Sequence, residues 1–389
     1  MIPTSQELIS FIRDRFRTQD AIPLHAPLFG QSDRDYVLDC LDSTFVSSVG
    51  AYVPRFEEEF ARLTGAARAV AVMNGTAALH LAMMLADVRP SDLVITQSLS
   101  FIATCNAISY CGAQPYFADV DRDTMGLSPR AVDELLNEFA VRTDEGAIEK
   151  SSGRRIRACV PMHAFGHPVN LDELAAVCEK WGITLIEDAA EAVGSLYHDK
   201  HVGSHGLIGV YSFNGNKIIT TGGGGMLTFK DQAVGARAKH LATTAKVPHT
   251  WDFVHDEVGY NYRMPNLNAA LGCAQLERLG PYLKAKRALA ADYKAFFENK
   301  DVIFCAEPEG TRSNYWLCTV LCPDEAARTS FLQETNAKGV MTRPVWTPMH
   351  RLPIYSGAPR GSLPITEFLA DRLLNLPSSA LIGTDAGTN

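Results

Sequence analysis

The sequence is defined first by what is missing from its 389 residues. No run of about 18 apolar residues occurs, so no stretch suits a membrane-crossing helix. No block of five or more like charges occurs either, and Asp and Glu outnumber Lys and Arg by 44 to 36, a formal net charge of −8. That balance excludes a nucleic-acid stripe or a polybasic membrane patch. A phosphorylated ligand must then be held by local groups rather than by an overall field. None of the nine cysteines falls in a CxxC pair, and several, such as Cys159 in ACVPMHAF, sit inside apolar runs. Buried free thiols in a reducing cytosol are expected, not a disulfide framework or a zinc site. The N-terminal MIPTSQELISFIRDRFRTQ interleaves charges with apolar residues and has no apolar core segment, which excludes a signal peptide. There is no internal repeat or low-complexity tract. Hydrophobic residues at 46% and charged residues at 21% match ordinary globular usage, and the length allows two or three domains.

What is present is an alternation. From about Ala66, short β-rich runs take turns with helical patterns. ARAVAVM, DLVITQS, QPYFADVD, RACVPMHAF, ITLIEDAA, GVYSFN and GGMLTFK read as strands. NGTAALHLAMMLAD, FIATCNAISYCG and LDELAAVCEKWG read as helices, the last stopped by Gly182. Such alternation predicts an α/β fold with a mostly parallel sheet flanked by helices, whose ligand sits at the carboxyl ends of the strands. The texture changes after GYNYRMPNLNAALGCAQLERL. A charged helix from Pro281 to Asn299, the strand NYWLCTVLC and a helix from Asp324 to Gly339 predict a smaller C-terminal α+β domain. The expected division is residues 1–283 for the large domain and 284–389 for the small one. Thr143–Arg155 reads as a polar surface insertion.

Two residues carry the chemistry. Glu187-Asp188 ends a buried strand, which puts an acid at the carboxyl edge of the sheet. Lys217 follows a later strand within SFNGNKIITTGGGG. This is no P-loop, because Ile218 follows the lysine where Ser or Thr is required. An aspartate at a strand end with a Gly-flanked lysine suits pyridoxal 5′-phosphate. The lysine would form the Schiff base, and the acid would keep the pyridine nitrogen protonated so that the ring accepts electrons. Gly75 and Thr76, at a strand-to-helix turn, supply helix N-terminal amides for the phosphate, and Ser212 offers a hydroxyl. Phe101 is placed to stack on the ring. Each has a plainer reading as cap, turn residue or core. His163 and His167 are four apart, but Gly166 and Pro168 exclude the helix that a zinc pair would need, and no metal is expected.

In this order, NGTAALH, SFIATCNAISYCGA, PMHAFGHP, EDAAEAVGS, SFNGNKIITTGGGG and GYNYRMPNLNAALGCAQLE resemble the DegT/DnrJ/EryC1/StrS sugar aminotransferases, of fold type I. The resemblance runs from about Ile22 to Ser379. SSVGAYVPRFEEEFA, HAFGHP, TTAKVPH, SNYWL, TRPVW and MHRLPIY are most similar to the LegC branch, which aminates C4 of a UDP-linked 4-keto-6-deoxy-2-acetamido sugar. The resemblance implies Lys217 as the Schiff-base lysine, Asp188 as partner of the pyridine nitrogen and Phe101 as the aromatic over the ring. It implies Gly75, Thr76 and Ser212 as phosphate ligands, and Asn261 and Arg263 as residues reaching the neighbouring subunit's cofactor or substrate. Glu191 stands near the cofactor's phenolic oxygen, where many members have Gln, and this too resembles C4-aminating members such as the perosamine synthases. His163 and His350 are candidate substrate contacts. The implied reaction moves an amino group from L-glutamate to a nucleotide sugar, in a cytoplasmic homodimer with shared sites, without nucleic acid or membrane. A GDP-4-keto-6-deoxymannose substrate is the alternative. Sugar 3-dehydrases of this fold have histidine in place of the lysine, so Lys217 speaks against that activity. No basic helix-turn-helix precedes the domain, which speaks against a transcriptional regulator.

Overall fold

The computed structural model describes residues 2–144 and 146–382. Seven strands form the spine of its main sheet: β1 (Arg68–Val72), β2 (Leu93–Gln97), β3 (Gln114–Ala118), β4 (Arg155–Val160), β5 (Thr184–Asp188), β6 (Ile208–Ser212) and β7 (Gly225–Phe229). Their order is β1-β7-β6-β5-β4-β2-β3. β6-β5-β4-β2-β3 are parallel neighbours, whereas β7 runs antiparallel to both β1 and β6. β2, β6 and β7 are buried at every residue, which is why they read as continuous apolar runs and not as alternating ones.

Helices cover both faces. Besides α1 (Ser5–Phe16), those that matter here are α2 (Gly75–Leu85), α3 (Ile102–Tyr110), α4 (Leu171–Trp181), α5 (Asn266–Glu277) and α6 (Leu279–Phe297). α2 starts three residues after β1 ends, because the Asn74 side chain accepts from the Ala77 amide and caps it. α4 ends at Gly182 in the left-handed region, φ 64°, as its stop signal predicts.

A second, four-stranded antiparallel sheet is built on β8 (Cys318–Leu321) and β9 (Leu373–Leu376), flanked by the two-residue strands Ile303–Phe304 and Arg343–Pro344. The apolar stripe of α1 (Leu8, Ile9, Ile12) packs into one core with Leu289 and Tyr293 of α6, Val340 and Leu374. The N-terminal helix, grouped by sequence with the first 283 residues, thus joins the C-terminal sheet: its stripe needs a partner, and that sheet offers a face. Position 284 lies inside the continuous helix α6. We propose that α6 is the seam, with α1 belonging to the smaller unit.

Two local readings change. The polar stretch before Arg155 is a hairpin (Ala140–Thr143 with Gly146–Glu149) that adds antiparallel strands beside β4. Its Glu149 is buried because the amides and hydroxyls of Ser151 and Ser152 satisfy the carboxylate. Glu145 lies outside the described residues. RACVPMHAF does not stay extended to Phe165: β4 stops at Val160, and Ala164–Gly166 forms a 3-10 turn in which Phe165 has φ 57°.

Candidate active site

A cavity of about 240 Å³ opens where β5 and β6 end and where α2 and α3 begin. Gly75, Thr76, Phe101, Asp188, Glu191, Ser212 and Lys217 all line it. Seven of the sequence candidates, drawn from four separate segments, are thus brought together.

Strand alternation separates the two acids that end β5. Asp188 enters the cavity, and Glu187 points to the other face. Glu187 accepts from the amides of Gly203 (2.6 Å), His205 (2.7 Å) and Gly206 (2.6 Å), and its Oε2 lies 3.3 Å from His163 Nε2. Burial alone would raise its pKa, but the His163 contact and these amides outweigh it and hold the carboxyl below the usual range. Asp188 is shifted the other way. Burial dominates and raises its pKa, although Thr104 Oγ1 donates to Oδ2 at 2.6 Å and the Ala190 amide to Oδ1 at 3.1 Å. An oriented, buried carboxylate that makes no ion pair among the described residues is left facing the cavity.

Lys217 follows a turn closed by its own amide on the Asn214 carbonyl, 2.9 Å. Its Nζ lies 3.3 Å from Glu191 Oε1, with the lysine side chain 12% exposed. Glu191 Oε2 accepts from the Phe165 amide at 2.9 Å, which gives the left-handed conformation of Phe165 a purpose at the site. Burial pushes the Glu191 carboxyl up to about 7 despite the lysine. Asp188 and Glu191 are therefore both carboxyls whose charged forms burial disfavours.

The opposite end of the cavity suits an anion. Gly75 and Thr76 occupy the first turn of α2, whose amides have no intrahelical acceptor, and Ser212 closes against them. A Cβ on Gly75 would stand 2.9 Å from the Ser212 Cβ, so only glycine allows this approach.

Other candidates are not brought to the cavity. His163 is fully buried. Its Nδ1 accepts from the Val169 amide (3.2 Å), so Nε2 carries the proton toward Glu187; this makes the ring a strut behind β5, not a substrate contact. His350 spends both ring nitrogens inside the fold, on Ser98 Oγ (2.7 Å) and Glu367 Oε1 (2.6 Å). His167 is buried with neither nitrogen hydrogen-bonded, and burial lowers its pKa to about 4. Asn261 and Arg263 lie along the end of β1, with the guanidinium bonded to Asn261 Oδ1 (3.0 and 3.2 Å) and absent from the cavity wall. Conversely, Thr104, Met162, Trp316 and Trp346 escaped sequence reading. Thr104 lies one helical turn beyond Phe101, a spacing that could have flagged it. Trp316 reads only as part of the strand NYWLCTVLC and the motif SNYWL, and Trp346 only as part of the motif TRPVW.

The sequence model of the DegT/DnrJ/EryC1/StrS aminotransferase family matches residues 28–388. The chain belongs to that family. It is 36% identical to a GDP-perosamine synthase of Escherichia coli O157:H7, over 92% of this chain and 93% of that protein. It is 34% identical to a GDP-perosamine synthase of Vibrio cholerae, over 92% and 94%. Among solved structures, the aminotransferase TlmJ from Streptoalloteichus hindustanus superposes with a TM-score of 0.84 at 30% identity, covering 94% of this chain and 95% of that one. The protein is a pyridoxal phosphate-dependent sugar aminotransferase. The residues present fit that cofactor. A cavity lined by a helix N-terminus, a buried carboxylate that makes no ion pair among the described residues, and a lysine amine has the donor set the cofactor requires. Among the described residues, one side-chain group has metal-like spacing, His240 with Asp256 and Glu257. The carboxylates in it already pair with His240 and Arg237.

Proposed function

We propose that the protein transfers an amino group from L-glutamate to C4 of a nucleotide-linked 4-keto-6-deoxy sugar, with the GDP-linked sugar of perosamine synthesis as its substrate. The observation that carries the reading is Lys217 Nζ beside a buried Glu191, in a cavity whose floor is Asp188. The nucleotide is argued from the relatives named above, whose names favour the GDP alternative over the UDP-acetamido reading of the LegC-like motifs.

When bound, pyridoxal phosphate supplies an electron sink for the carbon that gains or loses a proton. The protein does the rest. Asp188 would keep the proton on the pyridine nitrogen, its carboxylate aimed by Thr104 and the Ala190 amide. The α2 amides and Ser212 would hold the phosphate. Lys217 would anchor the cofactor and, once freed, its neutral amine would carry the proton at the reacting carbon. Glu191, with its carboxyl near 7, is suited to exchange a proton with that amine.

The proposal includes a homodimer with shared sites. Phe45, Val49, Trp251, Phe253 and Val258 are each more than half exposed, and Arg263 is bonded only to Asn261 among the described residues. A twofold partner would cover such a surface and bring Arg263 to a diphosphate.

Parallel assays with glutamate and either GDP-4-keto-6-deoxymannose or UDP-4-keto-6-deoxy-2-acetamidoglucose test the substrate. The GDP sugar should give the higher kcat/KM by at least about tenfold, roughly the discrimination a few well-placed contacts supply. A preference for the UDP sugar would restore the LegC-type reading. Failure of both, in protein whose visible cofactor absorbance glutamate does not change, would refute the aminotransfer itself.

A further inference from the structure

Trp316 reaches the site from the other side of the sequence. It stands just before β8, in the segment Ser313–Leu317, and is 5% exposed. The centre of its ring lies 4.0 Å from Lys217 Nζ, on which Glu191 Oε1 also bears at 3.3 Å. The amine is therefore held between a ring face and a carboxylate. The indole N–H donates to the carbonyl of Asn216, the residue before the lysine, at 2.7 Å.

The tryptophan is itself held from several directions. Its amide donates to Asn314 Oδ1 (2.7 Å), and its carbonyl accepts from the buried Lys286 ammonium of α6 (3.2 Å), which also reaches the Ser378 carbonyl. The Asn314 side chain donates to the carbonyls of Glu191 and Val193, both at 2.9 Å. One short segment from the C-terminal part of the chain thus grips both loops that carry the lysine and its carboxylate. A lysine on four rotatable bonds does not keep one position by itself, and a cation over an indole face gains a factor of roughly 2 to 30 in occupancy of that position.

We infer that Trp316 is a positioning residue for Lys217, its ring face confining Nζ beside Glu191 and its N–H fixing the peptide that precedes the lysine. The inference rests on the reading of Lys217 as the cofactor-bearing lysine. Its test uses the full chain freed of cofactor, with Trp316→Leu and Trp316→Phe. A pulse of reductive methylation, read by peptide mass spectrometry and normalised to exposed Lys284, reports how freely the Lys217 amine is offered. The Leu variant should label Lys217 about 3- to 10-fold faster than the parent, whereas the Phe variant, which keeps a ring face, should stay within about twofold. Losing only the N–H, the Phe variant should show faster amide hydrogen exchange over Asn216–Ile218. In cofactor-loaded enzyme, the Leu variant should lose about tenfold in kcat with KM for glutamate held within about twofold, and Phe should recover most of it. Labelling at the parental rate in a folded Leu variant, or unchanged exchange in the Phe variant, would overturn the inference. A Lys217→Ala protein that keeps the visible cofactor absorbance would instead overturn the reading of Lys217, so the two failures are distinct.

Discussion

The floor of the cavity and the segment Thr244–Arg263 differ in one decisive respect. On the floor, each of the three buried carboxylates has hydrogen-bond partners within the chain. Glu187 receives three amides and faces a histidine, Asp188 is aimed by Thr104, and Glu191 bridges Lys217 and the Phe165 amide. Along 244–263 the opposite holds: Trp251 and Phe253 are 75% and 80% exposed, and Arg263 rests on Asn261 alone among the described residues. The first region is finished within one chain. The second has the composition of an interface centre, with aromatic rings and an arginine left for another surface. On the proposed reading, the protein builds its cofactor floor alone, and the rim of its site is what a partner would complete.

Breaking the floor should have the largest effect. Lys217→Ala should abolish turnover by at least 10²–10⁴-fold and remove the visible absorbance of the lysine-bound cofactor, without loss of fold by circular dichroism. Retention of more than about one per cent of activity would show that another lysine does the work. Asp188→Asn should follow, with a loss on the order of 10²-fold in kcat and little change in Tm, because an amide cannot hold a pyridinium proton. Parental turnover would reduce Asp188 to a structural role.

The rim sharpens the comparison from the other side. Arg263→Ala should cost about tenfold or more in kcat/KM while leaving the cofactor absorbance intact. Mixed with Lys217→Ala chains under conditions that exchange subunits, it should regain about a quarter of parental activity, since half of the dimers are mixed and each has one undamaged site. No recovery despite demonstrated exchange would mean that each site is built by one chain.

The smallest effect is one of stability, in cofactor-free protein. Glu191 has a carboxyl raised from 4.5 to about 7, so between those values the folded state binds more protons than the unfolded one. Stability contributed by this group is therefore full below pH 4.5 and is lost as pH rises through 7. Glu191→Gln should accordingly be more stable than the parent above pH 7, by on the order of 1–3 kcal/mol, with the difference fading in acid. Urea titrations from pH 5 to pH 8 that show a constant difference would contradict the assignment of the shift to Glu191.

Much of the floor was legible because its logic is local. A continuous apolar run ending in Glu187-Asp188 announces a buried parallel strand with an acid at its carboxyl edge, and Asn74-Gly75-Thr76 announces a helix start behind a strand. The histidines were less legible. His163 and His350 have the same chemical type whether they meet a substrate or brace a loop, and only their neighbours, Glu187 and Val169 for one, Ser98 and Glu367 for the other, make them struts. The insertion before Arg155 misled because polarity in a hairpin edge looks like polarity in a loop.

By itself, then, the sequence determined the alternation of strand and helix, the acid and the lysine at strand ends, and the glycine at the start of a helix behind a strand. These follow from periodicity and from turn chemistry within a few residues. Only the tertiary structure decided which face of β5 meets the ligand, and that α1 packs on the C-terminal sheet. It alone joined Thr104 to Asp188, 84 residues away, and Trp316 to the Asn216 carbonyl, 100 residues away. The physical reason is that such contacts are set by how buried faces pack against one another, and no local pattern in the chain encodes which distant surface a side chain will meet.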